Sequence, residues 1–337
     1  MLNDFIYDSI LYCRPIKKAV VFTLKQPLVV RNPLYSFFYQ KMMQKKMALF
    51  KDKPHRVMVE NTNICNADCV FCPHEKMKRK TGVMAMELFK KIIDECANMG
   101  ISYVTIYGFG EPFLDRFFIE RIKYAKSKGI QRLTTNTNAA FMTKEKAKEI
   151  IKAGLDEIYI SFDAATKETY KKIRQNLNFD EVTKNITNLI EEKKKLQSKK
   201  PLIYLSFVEN GINCHETELY KRKWRKLVNG ISFSAVHNWT GEVNFGKVEP
   251  TALKDPCRLL WTDMVVSFDG RIPLCCNDYE NKVVLGDINR QSIGEIWGGE
   301  KLKKIRQKHQ KGEFKDIAIC SSCQYNYHHK SPWWIGK

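Results

Sequence analysis

Three cysteines crowd into eight residues, Cys65-Asn-Ala-Asp-Cys69-Val-Phe-Cys72, at spacing C-x3-C-x2-C. Thiolates are soft ligands that select zinc, copper(I) or iron–sulfur clusters. Three of them neither close a tetrahedral zinc site nor supply the four thiolates of a fully ligated cluster. A four-iron cluster on this loop keeps one iron without a protein ligand, open to a small molecule. That open corner points to catalysis rather than to a structural staple. The plainer alternative is three free thiols in a surface loop.

A second set comprises Cys257, Cys275, Cys320 and Cys323, the last two as Cys-Ser-Ser-Cys. Four thiolates are a complete ligand set, for a closed zinc tetrathiolate or for a further cluster. Cys276 adjoins one of them and is left over, while Cys13, Cys96 and Cys214 read as buried or incidental thiols. Between the two sets runs Tyr107-Gly108-Phe-Gly110-Glu111-Pro112, in which glycines let backbone approach a ligand and Glu111 can accept from an ammonium group. Further polar candidates are Asn136 in Thr135-Asn-Thr-Asn138, Ser161 and Asp163 in Ser-Phe-Asp, and Arg174. Their plain readings are Asx turns and an exposed helix arginine. His74 follows Cys72-Pro73, and His328 and His329 read as part of a solvated tail.

These groups need a scaffold. From residue 56 to about 236 the chain repeats an amphipathic helix, a glycine and a β-branched strand. Strands are expected at 56–61, 103–107, 131–135, 157–162, 202–208 and 231–236, with Gly100, Gly129, Gly154 and Gly230 at helix C′ positions. Strands alternating with long helices argue for βα units and a parallel sheet, and six units fit a partial TIM-type barrel. Barrel chemistry sits at strand C-termini, where the first cysteine loop falls, directly after strand one. The helix at 179–197 is marked by an Asn178/Glu181 capping pair and an apolar stripe of Phe179, Val182, Ile186, Leu189 and Leu196. Past Gly246, Asp269-Gly270 between apolar runs signals a hairpin, followed by a helix near 293–297 and a basic one at 301–311.

The C-x3-C-x2-C loop after a strand, with Phe71 in the aromatic position before the third cysteine, resembles the radical S-adenosylmethionine (radical SAM) superfamily. The resemblance implies a partial (β/α)6 barrel over 54–245 and a [4Fe-4S] cluster on Cys65, Cys69 and Cys72. The open iron of that cluster binds S-adenosyl-L-methionine. It also implies cleavage to a 5′-deoxyadenosyl radical that abstracts hydrogen, and a reducing partner such as flavodoxin or ferredoxin. Gly108-Phe-Gly110-Glu111-Pro112 looks like the family's Gly-Gly-Glu-Pro motif, split here by Phe109. Asn136, Ser161, Asp163 and Arg174 match positions that face the cofactor or substrate. Residues 246–337 resemble the SPASM/twitch extension in its one-cluster form, with Cys257, Cys275, Cys320 and Cys323 holding an auxiliary [4Fe-4S] cluster.

The chain has 337 residues, 44% of them hydrophobic, enough for one full core plus an appendage. Seven of its eleven cysteines fall into the two clustered sets, which is unlike a secreted disulfide framework, and no cleavable signal peptide is evident. A reducing cytoplasm is therefore the expected compartment, and no run of about 18 apolar residues is present to span a membrane. The net charge of +20 is spread along helices, as solvated faces are, so nucleic acid is not an expected partner. Residues 1–53 form a basic, aromatic lead-in with an apolar run at 19–24, read as a flap on the outside or as a peripheral membrane contact. The expected function is oxidation of a secondary alcohol on a sugar or cyclitol. The alternatives are a carbohydrate epimerase using Cys276 as hydrogen donor, a peptide-modifying maturase, or a metal-stabilised nucleic-acid-binding protein.

Overall fold

The computed structural model describes residues 33–243 and 256–323. Cys13, the apolar run at 19–24, Gly246, His328 and His329 lie outside the described residues. The first element among the described residues is helix α1 (Pro33–Leu49), which lodges Met47 in the core and exposes Leu34, Phe37, Phe38 and Leu49.

The alternating pattern builds strands β1 (Arg56–Val59), β2 (Tyr103–Ile106), β3 (Arg132–Thr137), β4 (Glu157–Ser161), β5 (Leu202–Glu209) and β6 (Gly230–Ala235). Helices α2 (Met86–Asn98), α3 (Phe118–Ser127), α4 (Lys144–Ala153), α5 (Lys167–Ile173), α6 (Phe179–Lys195) and α7 (Thr217–Trp224) connect them. Gly154 takes the left-handed C′ position after α4 at φ 86°. Gly230 does not play that role: it opens β6, where a Cβ would press on the Tyr204 ring at 3.0 Å. On α6 the Asn178 side chain accepts from the backbone N–H of Asp180 and of Glu181, and Val182, Ile186 and Leu189 are buried. Leu196 falls at the C-cap and is exposed.

A seventh strand was not expected. β7 (Asp263–Val266) comes from the stretch assigned to the appendage, yet it pairs in parallel with β1, Arg56 opposite Asp263. The Arg56 guanidinium and Asp263 carboxylate form an ion pair across that register. The sheet runs β6-β5-β4-β3-β2-β1-β7 with every neighbour parallel, and its two edges do not meet. It is thus the open, partial barrel. β2 is buried along its whole length, as parallel strands between two packed layers are. Toward the open edge, β4 and β5 alternate buried and half-buried residues, and Tyr159 stacks on Tyr204 at 4.9 Å.

The turn at Asp269-Gly270 forms, with Gly270 at φ 94°, but its arms part. The first arm is β7, in the barrel sheet. The second, β8 (Arg271–Pro273), pairs antiparallel with β9 (Val284–Asp287). Then follow α8 (Ile293–Trp297), begun by a Ser292/Glu295 capping box, and α9 (Glu300–Lys311). Ile293 N–H donates to Glu95 on α2 at 2.6 Å and Trp297 Nε1 donates to the Phe50 carbonyl at 2.9 Å, which clamps this unit onto the barrel.

Candidate active site

The first cysteine loop leaves the C-terminal end of β1 through two braced residues, Thr62 and Asn63. Thr62 Oγ1 donates to the Gly82 carbonyl at 2.9 Å, and Gly82 N–H donates to Asn63 Oδ1 at 2.8 Å. The glycine motif is pressed against the same segment: Glu111 N–H donates to the Ile64 carbonyl at 2.9 Å, and a Cβ on Gly110 would come within 2.5 Å of the Thr62 carbonyl. Gly108 has a similar constraint, since its Cβ would lie 2.3 Å from Glu60 Cγ.

Cys69 is fixed by a two-residue antiparallel ladder, Asp68–Cys69 against Arg174–Gln175. Arg174 Nη1 donates to Cys69 Sγ at 3.2 Å, its Nε and Nη2 pair with Asp163 Oδ2 at 2.6 and 2.5 Å, and its guanidinium lies 5.3 Å from the buried Phe71 ring. The other oxygen of Asp163 accepts from Val208 N–H at 2.6 Å. Arg174 is therefore no exposed helix arginine, and Asp163, fully buried, holds it in place. Burial pushes the Cys65 thiol up to about 11 and that of Cys72 up to about 12, with the neighbouring cysteine charges adding to the effect. Ionised together, these three sulfurs need a local positive charge, which is what iron supplies.

Glu111 is buried, and burial raises its carboxyl against three donors: Thr137 Oγ1 at 2.6 Å, Asn138 N–H at 2.8 Å and Phe113 N–H at 3.2 Å. Thr137 and Asn138 thus position Glu111, and Asn138 Nδ2 also reaches Asn66 Oδ1 in the cysteine loop at 2.9 Å. Asn136 and Ser161 lie half-buried at the ends of β3 and β4. His74 shares a hydrogen bond with the Asn63 carbonyl at 2.9 Å.

The second set lies together in the sense that its four members share one wall. Cys257, Cys275, Cys320 and Cys323 line one cavity of about 370 Å³, walled by Leu260 and Ile319. Burial, then the charges of Cys276 and Cys257, push the Cys275 thiol well up. Among the described residues no three His, Cys, Asp or Glu side chains converge closely enough for a single metal ion. A cluster asks for something wider, because each thiolate takes its own iron. The apolar, four-thiol cavity offers the donor set that a cluster takes.

A neighbouring cavity of about 360 Å³ lies at the ends of β1 and β2, under the loop that follows β8. Met58, Tyr107, Cys276 and Asn281 line it, and Cys275 lines both cavities. Its wall holds two residues the sequence hid. Glu60 accepts from both Arg79 Nη atoms at 2.7 and 2.5 Å, from Phe109 N–H at 3.2 Å and from Phe268 N–H at 3.1 Å. Arg79 belongs to the basic stretch at 76–80, which reads as a solvated charge run. Cys96 is buried and Cys214 exposed, each apart from both cysteine sets.

Two family models match the chain, the radical SAM superfamily at residues 59–210 and the SPASM iron–sulfur cluster-binding domain at 257–324. A probable GTP 3′,8-cyclase from Saccharolobus islandicus is 33% identical over 130 residues, so the match spans 39% of this chain and 42% of that relative. The S-adenosyl-L-methionine-dependent 2-deoxy-scyllo-inosamine dehydrogenase of Niallia circulans is 21% identical over 273 residues, 79% of this chain and 91% of that enzyme. Among solved structures, BtrN in complex with AdoMet and 2-DOIA aligns with TM-score 0.56 at 18% identity, covering 80% of this chain and 92% of BtrN. SuiB of Streptococcus suis, bound to its precursor peptide SuiA, aligns with TM-score 0.65 at 13% identity, covering 91% and 78%. At such identities the two structures speak for the fold.

Proposed function

The chain belongs to the radical SAM superfamily and carries a SPASM iron–sulfur domain, and we propose that it oxidises a secondary alcohol of a sugar or cyclitol. The family brings S-adenosyl-L-methionine, a [4Fe-4S] cluster and an auxiliary cluster. When bound, they supply hydrogen-atom abstraction by a 5′-deoxyadenosyl radical and a one-electron sink. We assign Cys65, Cys69 and Cys72 to the first cluster and Cys257, Cys275, Cys320 and Cys323 to the auxiliary one. Arg174 steadies the Cys69 sulfur. Gly108, Gly110 and Glu111, with Phe71, Asn136, Ser161 and Asp163, form the cofactor cradle, in which Thr137 and Asn138 orient the Glu111 carboxylate. A one-electron reductant such as flavodoxin or ferredoxin primes the site. Leu34, Phe37 and Phe38, exposed beside Lys41 and Lys45 on α1, support a peripheral contact with a membrane surface.

The observation that carries the oxidation reading is the Cys275 wall. A substrate in the 360 Å³ cavity lies one cysteine side chain from the four-thiol cavity, the arrangement an electron acceptor needs. The likeness to the 2-deoxy-scyllo-inosamine dehydrogenase along 79% of the chain supports the substrate class. One further observation favours a second reading. Cys276 lines the same cavity, where its thiol could return hydrogen to the opposite face of a substrate radical and invert the centre. Turnover in heavy water separates the two. Oxidation gives a product two hydrogens lighter and is little changed by Cys276→Ala. Solvent deuterium at an inverted carbon, lost in Cys276→Ala, would replace oxidation by epimerisation.

A further inference from the structure

The polar groups around the 360 Å³ cavity are in two different states. Glu60 and Arg79 are matched: the carboxylate receives four N–H groups, which fills the acceptor positions of an ionised carboxylate, and the guanidinium charge is answered by it. Asp278 is committed too, accepting from the backbone N–H of Lys282 at 2.8 Å and of Val283 at 2.9 Å. Asn281 is the contrast. It is 7% exposed and held at φ 55°, and its Oδ1 accepts from Ser267 Oγ at 3.1 Å while its buried Nδ2 has no partner. Exchanging the two ends of the amide satisfies nothing more, because Oδ1 is then the atom left over. A buried polar atom without a partner calls for one that the protein itself does not provide.

We propose that this cavity is the subsite for a neutral, polyhydroxylated ring, read by the Asn281 amide together with the Ser267 hydroxyl. A hydroxyl group both donates and accepts, so it satisfies either setting of the amide. A carboxylate only accepts and an ammonium group only donates. The matched Glu60–Arg79 pair leaves no uncompensated cation in this wall for a phosphate chain. The inference rests on the oxidation reading, since Cys275 in the same wall sets the ring beside the four-cysteine cavity.

The test is a ligand-observed NMR titration of the anaerobically reconstituted full chain with scyllo-inositol and myo-inositol, with GTP as the anionic control. Asn281→Gly keeps the left-handed backbone and deletes the amide. Asn281→Asp keeps the shape and removes the donor. Thermal melts and iron content accompany each variant. The wild type is expected to bind the cyclitols without competition from GTP, and each variant to bind about tenfold more weakly, the loss of one buried hydrogen bond. An unchanged Kd in both folded variants, displacement by GTP, or no cyclitol binding by the wild type would overturn the proposal. Asn281-dependent binding without oxidised product removes the oxidation reading and keeps the subsite. Oxidised product with an Asn281-independent Kd does the reverse.

Discussion

Replacing Arg79 by methionine leaves Glu60 in place with half of its donors. The carboxylate is 2% exposed; it loses two guanidinium N–H groups at 2.7 and 2.5 Å and keeps only the amides of Phe109 and Phe268. Removing one partner of a buried pair costs about 3–5 kcal/mol, because the survivor is an uncompensated charge. Methionine retains most of the stem that carries the guanidinium past the Phe109 ring, so little of this loss comes from a cavity. Glu60→Gln, which strands the cation instead, should cost a similar amount. The double variant strands neither, and is expected to lose only about 1–2 kcal/mol. The cycle then gives an interaction energy of about 4 kcal/mol or more, above the usual range for residues in contact, because each single variant strands a buried charge. Urea unfolding of the anaerobic protein by far-UV circular dichroism measures it. Arg79 Nε also donates to the Tyr279 carbonyl at 2.5 Å, and Glu280 accepts from Lys78 N–H at 2.5 Å and Arg79 N–H at 3.2 Å. Amide exchange around 278–281 should therefore quicken before the rest. Single variants within about 1 kcal/mol of wild type, or a double variant as unstable as the two singles summed, would refute this reasoning.

Reconstituted protein should hold about eight irons, and joint replacement of Cys65, Cys69 and Cys72 by alanine should abolish 5′-deoxyadenosine formation with dithionite; cleavage that persists undiminished removes the first cluster assignment. Cys275→Ala or Cys320→Ala should lower iron by about four per chain while uncoupled cofactor cleavage continues, whereas bound zinc with no loss of iron would make the second set structural. Asp156 is held below the usual carboxylate range: burial opposes ionisation, but Lys126 Nζ at 2.7 Å, Lys200 Nζ at 2.5 Å and Leu133 N–H at 2.8 Å outweigh it. A lowered folded value gives stabilisation that is complete above the unfolded range and lost as pH falls through the folded one. Asp156→Asn should thus cost about 1–2 kcal/mol at pH 7 and less at pH 3, and an equal penalty at both would contradict the assignment.

What could be read ahead was whatever is encoded locally. The C-x3-C-x2-C spacing, the Gly154 cap and the Asn178 cap are signals within a few residues of the feature they set. The ends of the barrel strands follow from them. What could not be read is encoded by partners far along the chain. Nothing near Asp263–Val266 says that it will lie beside β1, and the Asp269-Gly270 turn would look the same whether its arms paired or parted. Arg79 is indistinguishable from Lys78 and Lys80 until Glu60 is seen to face it. Asn281 carries no mark beyond a left-handed φ, which the sequence alone does not disclose. Arg174 read as equally a surface residue until the ladder with Cys69 brought it inward.

The parallel pairing of β7 with β1 joins residues 207 positions apart in the chain. On the ribosome, β1 therefore emerges long before the strand that covers it. Until β7 arrives, β1 is an open sheet edge, the kind of surface on which partly made chains associate. The strand that leads into the first cysteine loop is thus among the last to be enclosed, so iron delivered before synthesis ends would meet a loop on an unfinished sheet. A nascent chain stalled before residue 263 should be a substrate for chaperones, and the same chain released past residue 266 should become resistant to limited proteolysis at β1.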